Sequence, residues 1–321
     1  MQRRTFLIAP LALAAASPHP IVESHVHLFG DLAAFPTHPN GPRRNAPDPL
    51  ENYVPFCREV GIRRAVHVSA EPYQDDHRYL EHCFTIEPEP GFIKGTVLFD
   101  TTAADTPRRL TEIVRRNPGR IVALRLHRTA DPKLPPTKPG DPIRDRDLSH
   151  PNTLRVWRTA GELGVAIQAH IVPHYAPAIE ALARQAPDTL LIVDHFGHAG
   201  VAGSVRGSNG IQLARGEWGY KDPAEFRKTL ALAKLKRVVL KVSSLQYSSR
   251  RPHPHEDLRP LVRQAFDAFG PERLMWGSLG HSLAEFKEQA ALFDTLFDFI
   301  SPADKARIQG GTALDIFNFR L

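Results

Sequence analysis

Eight short apolar, β-rich runs recur along this chain, each followed by a longer amphipathic stretch. They lie at residues 21–27, 64–69, 92–99, 121–127, 166–170, 190–195, 238–243 and 274–278. Most are uniformly apolar, as strands buried on both faces of a parallel sheet are. Helical patterns fill the intervals at 49–60, 75–86, 106–117, 153–163, 175–185, 223–234, 255–269 and 283–299. Strand alternating with helix eight times predicts an α/β fold, a single-domain (β/α)8 TIM barrel spanning residues 18–321. A doubly wound open sheet is the alternative, but no Gly-x-Gly-x-x-Gly turn follows any early strand to favour it.

Residues 1–17 are set apart from that rhythm. Arg3-Arg4-Thr5-Phe6-Leu7 resembles a twin-arginine export signal, followed by an apolar stretch too short to span a bilayer. Ala14-Ala15-Ala16 offers a small-residue cleavage site. The expectation is export to the periplasm or medium, with no stable membrane insertion after removal of the signal.

The formal charge of +6 falls to +4 without Arg3 and Arg4. No dense Lys/Arg run follows the signal, so the chain lacks the footprint of a nucleic-acid binder. Cys57 and Cys83 fall in helical patterns. They either pair in an oxidising compartment or stand as two separate buried thiols. Two loops are long, 128–151, rich in Pro and Asp, and 197–222, rich in Gly. Both follow strands, which places them at the catalytic face as walls or lids.

Sixteen histidines are more unusual than the charge, because many close the strand patterns. His25-Val26-His27 ends the first. Residues two apart on a strand point the same way, so two imidazoles leave it side by side. Arg125 and His127 end the fourth, His170 the fifth, Asp194-His195 the sixth, and Lys241 and Ser243 the seventh. TIM-barrel active sites lie at these C-terminal ends, and imidazole is a common ligand for zinc and similar ions. Alternation does not settle whether Lys241 or His67 faces the barrel interior. The same alternation turns Asp194 away from His195, into a structural role. His253 and His255 sit in a Pro-rich loop, and Glu217-Trp218 in the long loop after the sixth strand.

Five segments carry a family resemblance. They are Glu23-Ser24-His25-Val26-His27, Gln168-Ala169-His170, Val193-Asp194-His195-Phe196-Gly197, Val239-Leu240-Lys241-Val242-Ser243 and Pro271-Glu272-Arg273-Leu274-Met275-Trp276-Gly277-Ser278. Together the chain resembles the Amidohydrolase 2 branch of the amidohydrolase superfamily. That branch includes aminocarboxymuconate-semialdehyde decarboxylase, pyrone-dicarboxylate lactonase and fuconolactonase-type enzymes. The resemblance implies that His25, His27 and His170 are metal ligands, for zinc or manganese, and that His195 is a catalytic imidazole. Arg125 and His127 would face the substrate, the guanidinium gripping a carboxylate if one is present.

One position departs from the pattern. The family usually ends its eighth strand Gly-Ser-Asp, the aspartate serving as metal ligand and general base. Here the run is Gly277-Ser278-Leu279-Gly280-His281. Three outcomes stay open. Three histidines hold a divalent ion, leaving a position for water whose pKa then falls to about 7. Or the site is metal-free, and imidazoles with Arg125 polarise the substrate. Or hydrolysis is lost, leaving a decarboxylase, an isomerase or a small-molecule-binding barrel. His281 either reaches back as a replacement or serves as a capping or surface residue. The expected function is an exported hydrolase that opens a small lactone, ester or amide.

Overall fold

The computed structural model describes residues 19–198, 205–206, 212–213, 223–249 and 251–321. The expected export signal and Glu217-Trp218 lie outside the described residues. Eight strands form one all-parallel sheet in chain order: Ile21–Val26, Ile62–Val68, Ile93–Leu98, Ile121–Arg128, Ala166–Ile171, Leu191–Val193, Val238–Val242 and Leu274–Trp276. Helices α1 to α8 cross between and after them: Leu50–Val60, Arg78–Ile86, Thr106–Arg116, Pro151–Glu162, Ala176–Gln185, Phe226–Ala231, Arg259–Phe269 and Leu283–Leu296. This is the TIM barrel that the alternation predicted. A two-stranded antiparallel ribbon, Val205–Arg206 with Gln212–Leu213, adds to the long loop after the sixth strand.

Local sequence explains the helix ends. α1 stops at Gly61, whose left-handed φ of 81° a residue with a Cβ would adopt at a cost. α8 starts where Ser282 accepts a hydrogen bond from the Glu285 amide.

Two apolar layers sort the strand residues by parity. Leu124, Leu126, Ile167, Ala169, Leu240 and Val242 pack outward against helix residues such as Trp157 and Phe293. Burying each large side chain of this kind contributes roughly 1.5–3 kcal/mol. The other parity points inward. Val22, Val66, Ala123, Ala166, Ile192, Val239 and Met275 fill the barrel floor with Ala313, Phe317 and Phe319 from the C-terminal segment. Lys94 Nζ donates to the Phe317 carbonyl at 2.7 Å, holding that plug in place.

The seam between the first and eighth strands is closed by side chains. Ser24 Oγ donates to the Trp276 carbonyl at 2.6 Å, and the Glu23 carboxylate accepts from the Ser278 amide at 2.9 Å. Gly277 makes this fit possible, because a Cβ there would lie 2.9 Å from Glu23 Oε1 and 3.0 Å from Ser24 Oγ. The first strand carries a register shift between Glu23 and Val26 on the other side of this seam.

Candidate active site

Two residues further along the inward parity, the apolar floor gives way to charge. Arg125, Gln168, Asp194 and Lys241 follow Ala123, Ala166, Ile192 and Val239, and all four are buried. Gln168 Nε2 donates to Asp194 Oδ2 at 2.9 Å. Lys241 Nζ lies 3.5 Å from Asp194 Oδ1 and donates to the Ser24 carbonyl at 2.7 Å. Arg125 Nε lies 3.6 Å from Asp194 Oδ2. Burial alone would raise the Asp194 carboxyl, but Lys241 and His25 beside it hold it well below the ordinary carboxylate value. Burial and Arg125 push Lys241 down to about 8 against the pull of Asp194, so it remains mostly protonated at neutral pH. Two fixed cations therefore share the Asp194 carboxylate within this layer.

Lys241 thus faces the barrel interior, the question alternation left open. His67 faces the other way, its Nδ1 3.9 Å from Cys83 Sγ on α2. Cys57 and Cys83 are separate buried thiols. The structural role expected for Asp194 needs correction. Asp194 continues the inward parity of Ile192 and is the hub of the charged layer. His195 reaches the interior by a different route. The strand ends at Val193, and His195 and Phe196 take left-handed φ angles of 50° and 56° that swing the imidazole inward.

A layer of imidazoles caps the charges. His25 and His195 lie with ring centroids 4.4 Å apart, His195 and His170 at 5.0 Å, and His170 and His127 at 5.1 Å. Burial holds His25, His27 and His170 well below the usual histidine value, and pushes His195 down to about 3 with help from Arg125 and Lys241. All four are neutral at pH 7, the form that ligates metals. His195 Nδ1 is 3.1 Å from Ser243 Oγ.

His25 Nε2 and His27 Nε2 face each other at 3.3 Å. His27 Nδ1 is 2.8 Å from the Val68 carbonyl, which can only accept, so Nδ1 carries the proton and Nε2 a lone pair. His25 Nδ1 lies 3.5 Å from Asp194 Oδ1, an ion-pair distance that forms no hydrogen bond, and both atoms are without a hydrogen-bond partner. A proton on Nδ1 suits that carboxylate and leaves a second lone pair opposite the first. In that tautomer the two lone pairs converge on a single cation, whereas in the other His25 Nε2–H donates to His27 Nε2. Two nitrogens on one tetrahedral zinc, each about 2.0–2.1 Å from it, would be about 3.3 Å apart. The donor set therefore fits a divalent ion.

The ligand set expected from the resemblance is only partly drawn together. His170 turns its Nε2 to within 2.7 Å of His198 Nε2, a partner that sequence reasoning did not single out. Among the described residues, the group whose ligand atoms all lie within 4.8 Å of one another is His25, Asp194 and His195. Because Lys241 and Arg125 already neutralise Asp194, this carboxylate is better placed to orient His25 than to ligate.

Above the imidazoles opens a cavity of about 650 Å³, the size of a small-molecule site. Its walls include His27, Arg125, His127, His170, His195, Arg144, Glu71 and Leu279. His127 Nδ1 is 2.7 Å from Glu71 Oε1, and Arg144 Nη1 is 3.3 Å from Glu71 Oε2. Glu71 sits past the second strand, where no motif marked it. Arg144 comes from the long loop after the fourth strand, which does form a wall. His281 lies on the rim, with Nδ1 3.0 Å from Asp48 Oδ2. His255 is half-buried, with Nδ1 2.7 Å from the Arg251 carbonyl.

A parallel barrel with neutral imidazoles layered over a buried carboxylate at its C-terminal mouth is a hydrolase barrel of the amidohydrolase kind. The family model described as Amidohydrolase matches residues 22–319, and the chain belongs to that family. It is similar to the L-fucono-1,5-lactonase of Burkholderia ambifaria, with 27% identity over 278 residues, covering 83% of this chain and 84% of that protein. It is also similar to the 4-sulfomuconolactone hydrolase of Rhizobium radiobacter, with 26% identity over 278 residues, covering 84% and 78%. Among solved structures, an amidohydrolase of Burkholderia multivorans with bound zinc superposes with a TM-score of 0.65 at 19% identity, covering 94% of this chain and 100% of the other.

Proposed function

We propose that this enzyme hydrolyses a small lactone. The observation that carries the proposal is the pair of fixed cations, Arg125 and Lys241, held beside Asp194 directly beneath neutral imidazoles. Water adding to an ester carbonyl develops negative charge on the carbonyl oxygen. A fixed positive field in a water-excluded pocket stabilises that charge more than it stabilises the neutral substrate. Both curated relatives are named for acting on lactones, which supports the same reading.

His25 and His27, whose Nε2 atoms face each other at 3.3 Å, would hold a divalent ion; the Burkholderia multivorans amidohydrolase that shares this fold has bound zinc. Such an ion supplies Lewis acidity toward the carbonyl. His195, held at Nδ1 by Ser243, presents its other nitrogen to the substrate, and Arg125 orients the substrate from below. The Arg3-Arg4 leader supports export of the folded enzyme, which cell fractionation tests.

Purified enzyme should open members of a panel of five- and six-membered lactones at neutral pH, followed by acid release. His25→Ala and His27→Ala should each lose both bound metal and most of the rate. If no lactone turns over with or without added zinc or manganese, the barrel is a binder or catalyses another reaction.

A further inference from the structure

Hydrolysis needs a base for the attacking water, and the eighth strand offers Leu279 where its relatives are expected to carry a carboxylate. We propose that Glu71 and His127 form a carboxylate–imidazole pair that takes the proton from this water, Glu71 as positioning residue and His127 as base. The inference rests on the lactone reading and supplies its missing proton acceptor.

Geometry carries it. A carboxylate can only accept, so the 2.7 Å contact at Glu71 Oε1 fixes the His127 proton on Nδ1. Nε2 then carries the lone pair. That nitrogen is buried and without a hydrogen-bond partner, on a residue that lines the cavity. An unpaired buried acceptor carries a desolvation penalty that a bound water or substrate hydroxyl removes. Glu71 is itself held by Arg144, whose Nη1 is 3.3 Å from the second carboxylate oxygen. Burial opposes ionisation of Glu71, but its bond to His127 and the nearby Arg144 charge bring it down to about 2, so the acceptor stays ionised at neutral pH. Its three parts come from separate places: the loop after the second strand, the end of the fourth strand, and the long loop that follows it.

The step balances within the pair and the substrate. The water oxygen forms a bond to the acyl carbon as His127 Nε2 takes its proton. Collapse of the tetrahedral adduct breaks the bond between acyl carbon and ring oxygen. His127 returns the proton to the departing alkoxide, so the pair ends the cycle as it began.

The test compares Glu71→Gln, Glu71→Asp and His127→Ala on a lactone that the wild type opens. Glu71→Gln should lower kcat by about 100-fold or more with KM within a few-fold, because base catalysis acts after binding. Glu71→Asp should recover part of that loss, and added imidazole should partly rescue His127→Ala. Proton NMR of the wild type should show a far-downfield Nδ1–H resonance that both Glu71→Gln and His127→Ala abolish. Wild-type kcat in Glu71→Gln, or absence of that resonance from the wild type, would overturn the pair alone. Failure of the wild type to open any lactone would overturn the lactone reading and the pair together.

Discussion

Asp194 Oδ1 faces Lys241 Nζ across 3.5 Å, and neither side chain is exposed. Water cannot screen this pair, and the protein around it must supply all of its compensation. Removing one partner of a buried ion pair typically costs about 3–5 kcal/mol. Lys241→Met should destabilise by that order, and Asp194→Asn should do the same by leaving Lys241 and Arg125 to repel each other. The double variant should recover part of the loss. Urea unfolding of the four proteins gives the coupling, and strictly additive losses would refute a direct pairing.

Acid should unfold the protein through its buried histidines. Burial pushes His67 down to about 3 and His77 down to about 4 in the fold, against about 6.5 in an open chain. Between those values the unfolded state binds more protons, so stability falls as pH drops from about 6.5 and is unaffected by these groups above it. His67 Nε2 has no hydrogen-bond partner, which makes His67→Leu a clean probe. This variant should lose less stability than the wild type between pH 6.5 and pH 4. Equal slopes of unfolding free energy against pH would show that the ring is not the acid-labile group.

Gly277→Ala should loosen the barrel seam. Its methyl would press on Glu23 Oε1 and Ser24 Oγ, the two groups that tie the first strand to the eighth. Overpacking of this kind costs about 1–3 kcal/mol. Calorimetry should show a lower Tm. An unchanged Tm would mean that the side-chain closure does not support the barrel.

Leu279→Asp should tighten metal binding. Leu279 sits at a φ of 55°, where a leucine costs about 1–2 kcal/mol and aspartate is better tolerated. The change relieves backbone strain and adds a carboxylate to the cavity wall. Zinc affinity measured by chelator competition should rise at least tenfold, with thermal stability equal or higher. An unchanged affinity would place this position out of reach of the His25–His27 pair.

Most of the barrel was legible in the sequence, because eight apolar runs separated by amphipathic ones leave few ways to bury both patterns. The site was legible where it lay on regular strand. Arg125, His127 and His170 all follow inward parity, and their neighbours Ala123 and Ala166 confirm the phase. Parity misled where strand ended. The sixth strand stops at Val193, so counting on to His195 reversed the assignment of Asp194. His198 is brought to His170 by the same left-handed turn, which has no periodic signature. Glu71 escaped notice because a lone acid in a loop matches no motif. Its partner at His127 is 56 residues away, and only the closed barrel joins them.

The side-chain seam has a consequence for how such a site diverges. His25 and His27 stand on one lip of it, and Leu279 follows the other. Where neighbouring strands share a ladder, the residue at a strand end is itself held by amide pairing on both sides. Here Glu23 grips Ser278 and leaves the next residue outside the sheet. Position 279 can exchange an acid for an alkyl group without breaking a hydrogen bond between strands, so the chemistry of the mouth is free to drift while the architecture stays fixed.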